Sequence, residues 1–297
     1  MKIVVLELLQ SKSYENFLNI RRGILMKISK KVRYIFIGAI VFLGFLFLKI
    51  SQKTDLPNNM KQVYMKDDKK GWGIVEDGSL IVTNNAWKTY KQIHKFTWNE
   101  KETSIPSITY ADNTLFVVGF SPEDKNIGIF SSHNEGDTWR ESYIDYSDVD
   151  GGANQLFCSF IDKQNGYVLY CGAAAAGQMT KILYKTNDGG KSFQKAGDLS
   201  YINGYPTGIS FNTNSIGFIT TTYHGNDNTY LYSSADQGKT WNTITLQLEN
   251  LKDKGSSGYI NGYPPYFIGE NGFMILEYVS EKPFFYIYYS SDNGKTW

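Results

Sequence analysis

Histidine, cysteine and arginine are scarce in this chain of 297 residues, and each shortage removes a class of chemistry. Only three histidines are present, His94, His133 and His224, too far apart in the sequence to suggest an imidazole zinc site. Arg140 is the only arginine after Arg33, so a clamp of several bidentate guanidinium groups around an anion cannot be assembled. No Gly-x-Ser-x-Gly elbow and no phosphate-binding loop occurs. Asp145, Asp148 and Asp150 before Gly151 have the density of a calcium loop, but Tyr146 stands at the first ligand position, which points to an acidic solvated loop. No metal and no cofactor is expected. Paired carboxylates of a glycosidase stay open, because sequence spacing does not show which carboxylates meet.

What is present begins with an apolar run at residues 34–48, bracketed by Arg33 and Lys49. It is short for a membrane span, yet both flanking cations can reach the headgroups, and residues 34–50 are expected to form one N-terminal transmembrane helix. Lys27, Lys30, Lys31 and Arg33 precede it and only Lys49 and Lys53 follow closely, so residues 1–33 are expected in the cytoplasm and the rest outside. A cleaved signal peptide is the rival reading, although no Ala-x-Ala site and no lipobox cysteine follows. Residues 20–26, Ile-Arg-Arg-Gly-Ile-Leu-Met, are what a bacterial ribosome-binding site would encode if translated. The hypothesis is that translation starts at Met26 and that residues 1–25 lie outside the protein; CGN codons for Arg21 and Arg22 would refute it.

Charge divides the same way. Ten of the 30 basic and two of the 29 acidic residues lie before residue 54, which leaves 20 and 27 beyond it, a net of −7. An acidic exported region without a basic stripe excludes nucleic acid as a partner and gives no attraction to anionic lipid.

Residues 51–60 read as a polar linker, and beyond it one octapeptide recurs. Residues 290–297 (Ser-Ser-Asp-Asn-Gly-Lys-Thr-Trp), 234–241, 186–193, 132–139 and the worn copy 83–90 share the pattern Ser/Thr-x-Asp-x-Gly-x-Thr-Trp. Their first residues are 49, 54, 48 and 56 apart, the signature of an array of one supersecondary unit. Each copy follows a short alternating, aromatic-rich run that reads as a strand. The carboxylate or amide (Asn85, Asn134, Asp188, Asp236, Asp292) is placed to accept backbone N–H groups across a turn. The glycine (Gly189, Gly238, Gly294) supplies positive φ, and the Thr-Trp pair is expected to open the next strand.

These octapeptides resemble Asp boxes, or BNR repeats, found in sialidase-type β-propellers, sortilin-type receptors and propellers of the photosystem II assembly-factor family. The resemblance covers roughly residues 61–297 and is specific for architecture rather than activity. It implies an all-β propeller of four-stranded blades, with the box joining strands three and four. Five blades are visible and the last stops inside its box, which is expected either as truncation of a six- to eight-bladed ring or as a blade completed by another segment. A sialidase needs three arginines, a tyrosine nucleophile backed by glutamate, and an aspartate. The family's Arg-Ile-Pro signature has only a partial echo in Ser104-Ile105-Pro106, with serine for arginine, so sialidase activity is not expected. Gly71-Trp72-Gly73 resembles the Gly-Trp pairs of the assembly-factor group.

Fourth strands are expected at 89–94, 138–144, 191–196 and 240–246, the fifth blade at 266–268, 272–278 and 284–289. Cys158 and Cys171 fall on adjacent strands. A symmetric hairpin about residues 163–166 would set them opposite each other, as a disulfide or as two buried thiols. With the boxes on one face of the array, a ligand site belongs on the other. There the hexapeptide Tyr-Ile-Asn-Gly-Tyr-Pro occurs twice, at 201–206 and 259–264. Tyr201, Asn203, Tyr205, Tyr259, Asn261 and Tyr263, with Tyr223 and His224 nearby, are the candidate ligand residues, or else turn sequence inherited by duplication. The functional expectation is a membrane-anchored, extracytoplasmic, non-catalytic binding or assembly scaffold at a bacterial cell surface, with a protein partner or a cell-surface glycan. The alternative is a glycan-active protein, hydrolase or lectin-like.

Overall fold

The computed structural model describes residues 57, 59–99, 106–123, 125–174, 178–212, 215–223, 230–246, 258–281 and 283–297. The expected transmembrane helix at 34–50, and His224, lie outside them. All regular structure among the described residues is strand. The first sheet is β1 (Met60–Met65), β2 (Gly71–Val75), β3 (Ser79–Thr83) and β4 (Lys91–Lys95). The second is β5 (Ser107–Ala111), β6 (Thr114–Phe120), β7 (Asn126–Ser132) and β8 (Arg140–Asp145). The third is β9 (Ala153–Phe160), β10 (Gly166–Gly172), β11 (Lys181–Thr186) and β12 (Gln194–Asp198). Each is an antiparallel meander in sequence order, as in a propeller blade.

The fourth and fifth sheets differ from expectation because they are joined. β13 (Tyr205–Phe211), β14 (Gly217–Tyr223), β15 (Leu231–Ser234) and β16 (Asn242–Ile244) form the fourth meander; β17 (Tyr259–Ile268), β18 (Asn271–Val279) and β19 (Phe284–Ser290) form the fifth. β14 outruns its partner β15, and its last residues pair with β17 instead, Thr222 opposite Asn261 and Tyr223 opposite Ile260. Seven strands thus share one sheet.

Successive sheets meet along their first strands, β1 on β5, β5 on β9, β9 on β13 and β13 on β17. Those first strands expose an edge, and side chains of the preceding sheet satisfy it. Gln62 Oε1 accepts from the Ile108 N–H at 2.7 Å, Ser107 Oγ from Cys158 at 3.0 Å and Ser159 Oγ from Phe211 at 2.9 Å. Farther out, an aromatic on each second strand stacks on one at the end of the next first strand. The pairs are Trp72 with Tyr110 (4.9 Å between centroids), Phe116 with Phe160 (3.6 Å), Tyr167 with Phe211 (3.6 Å) and Phe218 with Phe267 (5.3 Å). These seams are the core. Each stack contributes about 0.5–1.5 kcal/mol beyond the area it buries.

The boxes form the turns after β3, β7, β11, β15 and β19, and one hydrogen-bond net recurs in the three that carry Asp, with a variant of it in the two that carry Asn. In the third, Thr186 Oγ1 accepts from the Gly190 N–H at 3.0 Å and donates to Asp188 Oδ1 at 2.8 Å. Asp188 Oδ1 also accepts from the N–H groups of Lys191 and Ser192, and Oδ2 from the Ser192 hydroxyl at 2.6 Å. Fourth strands start after the box aromatic rather than at it: β4 after Tyr90, β8 after Trp139, β12 after Phe193 and β16 after Trp241. The tryptophans are held back in the turn by their own indoles, Trp139, Trp241 and Trp297 each donating Nε1–H to the box glycine carbonyl at 3.1, 2.9 and 3.0 Å.

The cysteines do not pair. β10 opposes β9 with Val168 across from Cys158 and Cys171 across from Gln155, because Asp162 caps a tighter turn centred earlier than the sequence suggests. That offset of three residues turns the two thiols to opposite faces. Cys158 packs in the seam with the second sheet and Cys171 in the seam with the fourth. Both are free and buried, and burial pushes both thiols up to about 12.

Candidate ligand cleft

Away from the boxes, β9, β13, β14 and β17 converge on a cleft of roughly 430 Å³. Asn154 and Gln155 line it from the start of β9, Tyr205 and Thr207 from β13, and Thr222 and Asn261 from the junction of β14 and β17. Met179, Pro206 and Ala174 supply its apolar part. Two of the candidate tyrosines and amides, Tyr205 and Asn261, are therefore brought together here.

The others are not. Tyr201 sits on a turn, 60% exposed, and Asn203 offers its carbonyl to the Tyr232 hydroxyl at 3.3 Å. Tyr259 and Tyr263 lie on β17 outside the lining, and Tyr223 ends β14 opposite Ile260. The two hexapeptides adopt different conformations, which overturns the reading of both as turns leading into strands. In the first copy Gly204 takes a φ of +80° and the chain turns; the second copy lies wholly within β17. Context decides between them: the second copy has the free edge of β14 to pair with.

Lys181 explains the first copy's position. Its side chain is 2% exposed, and Nζ donates to the carbonyls of Ile202 at 2.8 Å and Met179 at 3.1 Å. One buried ammonium thus ties the hexapeptide turn to the cleft residue Met179. Burial lowers the Lys181 pKa, against the opposing pull of Cys171 and Asp198.

The junction is laced by hydroxyls. Thr207 donates to the Gly262 carbonyl at 2.5 Å, its Oγ1 lies 3.0 Å from Thr220 Oγ1, and Thr222 donates to the Ile260 carbonyl at 2.6 Å. Gly208 has to be glycine because a Cβ there would run into the Pro264 ring of β17. On the same strand Tyr263 donates to Glu277 Oε2 at 2.6 Å. Burial, then the Glu277 carboxylate, push this phenol up to about 12, the wrong direction for a nucleophile. Thr207, Thr222, Asn154 and Gln155 were not foreseen as ligand residues. They stand on strands whose convergence only the three-dimensional arrangement reveals.

No family model matches the sequence, and no curated protein matches it. Solved propellers are similar in fold. YCF48 from Cyanidioschyzon merolae is 14% identical with a TM-score of 0.45, over 76% of this chain and 68% of that one. A GH74 enzyme from Niastella koreensis is 13% identical with a TM-score of 0.43, over 80% and 38%. A subtype N11 neuraminidase-like protein of A/flat-faced bat/Peru is 14% identical with a TM-score of 0.44, over 76% and 71%. The likeness is one of fold. The propeller reading rests on this chain's own sheets and boxes.

Proposed function

We propose that this protein is a membrane-anchored, extracytoplasmic propeller acting as a non-catalytic binding scaffold, with the cleft as its ligand site and a protein or cell-surface glycan as its ligand. One observation carries the reading. The cleft is lined by amides, hydroxyls and apolar groups, and among the described residues no carboxylate, imidazole, ammonium or thiol stands in its lining. Such a surface can hydrogen-bond a neutral polar ligand, but it offers neither an acid/base pair nor an activated nucleophile. The phenol–carboxylate pair of Tyr263 with Glu277, on β17 and β18, is tuned away from nucleophilic attack.

The test is a panel of fluorogenic glycosides together with a glycan array. No turnover is expected. Array binding that Tyr205→Ala abolishes assigns a glycan ligand, and an empty array leaves a protein partner. Turnover that Asn261→Ala or Tyr205→Ala removes would overturn the non-catalytic reading.

A further inference from the structure

Four residues on four strands of the joined sheet stand in one row. Tyr205 on β13 is opposite Thr222 on β14, Thr222 is opposite Asn261 on β17, and Asn261 is opposite Glu277 on β18. Directly opposed residues of antiparallel strands share a face, about 5 Å apart at each step. The first three line the cleft. The row therefore carries the cleft face one strand farther, to a carboxylate at its rim. Burial agrees with that placement. Asn261 and Glu277 are half-buried, while Ile260, Leu276 and Tyr278 beside them are buried in the core on the other face.

Glu277 is held in place from the same face. Tyr263, two residues along β17 from Asn261, donates its hydroxyl to Oε2 at 2.6 Å, and the Asn261 amide approaches that hydroxyl too, opposing the rise in its pKa. One phenol thus links the cleft to the carboxylate. With Oε2 committed, Glu277 does not offer the two-oxygen edge that a guanidinium fork grips, and a single-point ammonium suits it better. Among the described residues no lysine or arginine forms an ion pair with it. Lys181, tied to Met179 in the cleft wall, does not serve: its Nζ is spent on two carbonyls, and Asp198 balances its charge.

The rest of the lining indicates what carries the ammonium. The side-chain amides of Asn154, Gln155 and Asn261 match peptide groups, donor to acceptor, while Met179 and Pro206 can take an aliphatic stem. Among the described residues Tyr205 is the only aromatic in the lining, and a single ring gives little area for stacking on a sugar. The chain beyond residue 53 is acidic, net −7, which draws a basic partner.

We propose, on the reading of the cleft as the ligand site, that it holds an extended peptide segment of a partner protein and that one lysine side chain of that segment sets its ammonium against Glu277 at the rim. The cleft amides hold the backbone, and Glu277 selects the charge.

Octapeptide libraries with random flanks, fixed at one position as Lys, Arg, Gln or Glu, supply the probe, with binding to the full chain measured in detergent. The Lys library is expected to bind about tenfold tighter than the Gln library, tighter than the Arg library, and the Glu library least. Glu277→Gln keeps an acceptor for Tyr263 and is expected to cut the preference for Lys over Gln below about twofold, with binding of the Gln library unchanged. Added salt should erode the same preference in the wild-type chain, which covers a variant that does not fold. A Lys preference that survives both changes overturns the proposal. Equal wild-type binding of the Lys and Gln libraries overturns it as well, and loss of that binding in Asn261→Ala would then leave the cleft as a peptide site without a rim charge. An Arg library that binds as tightly as the Lys library sinks the choice of an ammonium. Binding on a glycan array with no peptide binding makes a sugar the occupant and overturns the proposal. No binding of either kind removes the cleft reading itself.

Discussion

At the scale of single residues, the box is a turn that closes its own hydrogen bonds. Asp188 shows why an acid recurs at its centre. Burial alone would raise its pKa, but the Ser192 hydroxyl and N–H, the Thr186 hydroxyl and the Lys191 N–H outweigh that and hold it down at about 2. Asp236 and Asp292 are also held at about 2, chiefly by Thr240 and Thr296. A carboxyl depressed in the folded state stabilises the protein above its unfolded pKa, about 3.9, and loses that contribution as the pH falls through its folded value. The first two boxes show what happens without the charge. Asn134 Nδ2 donates to Thr138 Oγ1 at 2.9 Å, so the hydroxyl accepts where its counterpart in an Asp box donates. Asp188→Asn is therefore expected to fold, to be less stable by about 1 kcal/mol at pH 7, and to approach wild type as the pH drops from 5 towards 2. Urea unfolding across that range measures it; a stability gap independent of pH would show that the carboxylate charge is not what the box uses. The box chemistry was legible in the sequence because every partner lies within six residues.

At the scale of strands, legibility falls off with the distance between partners. The strands before the boxes, β3, β7, β11, β15 and β19, lie where the apolar runs place them, but the pairing of β9 with β10 depends on a turn whose cap, Asp162, only the folded backbone identifies. A three-residue error there flips every side chain, which is why Cys158 and Cys171 looked like partners. The identical hexapeptides make the same point: local sequence was equal and the neighbouring strand edge decided. Edge satisfaction is another such non-local property. Ser107 is 5% exposed and is the acceptor for the buried Cys158 N–H one sheet away. Ser107→Ala would strand that N–H where water does not reach, and it is expected to cost about 1–3 kcal/mol in urea unfolding at pH 7. A change below about 0.3 kcal/mol would mean that the N–H finds another acceptor and that the inner edges are not held by the preceding sheet.

At the scale of the whole molecule, sequence and structure speak to different halves of the chain. Five repeats in step could be read as an array because each sheet reuses one set of seam contacts, so the signal is multiplied by repetition. The cleft uses each residue once and draws on four strands, and for that reason no spacing announced it. The apolar run at residues 34–48 lies outside the described residues, and its flanking charges carry what is inferred from it. In the proposed orientation the cations before the apolar run stay inside and the acidic remainder, net −7, faces the exterior. That proposal has two testable outcomes in the cell that makes the protein. With residues 34–50 as the proposed anchor, alkaline carbonate should leave the protein in the membrane pellet, because such a helix holds by burial and not by charge. Protease added to spheroplasts should digest the box-bearing sheets while leaving them intact in unlysed controls treated with inhibitor. Release by carbonate would favour the cleaved signal peptide. Protection from external protease until lysis would place the sheets in the cytoplasm and remove the cell-surface role along with the anchor's orientation.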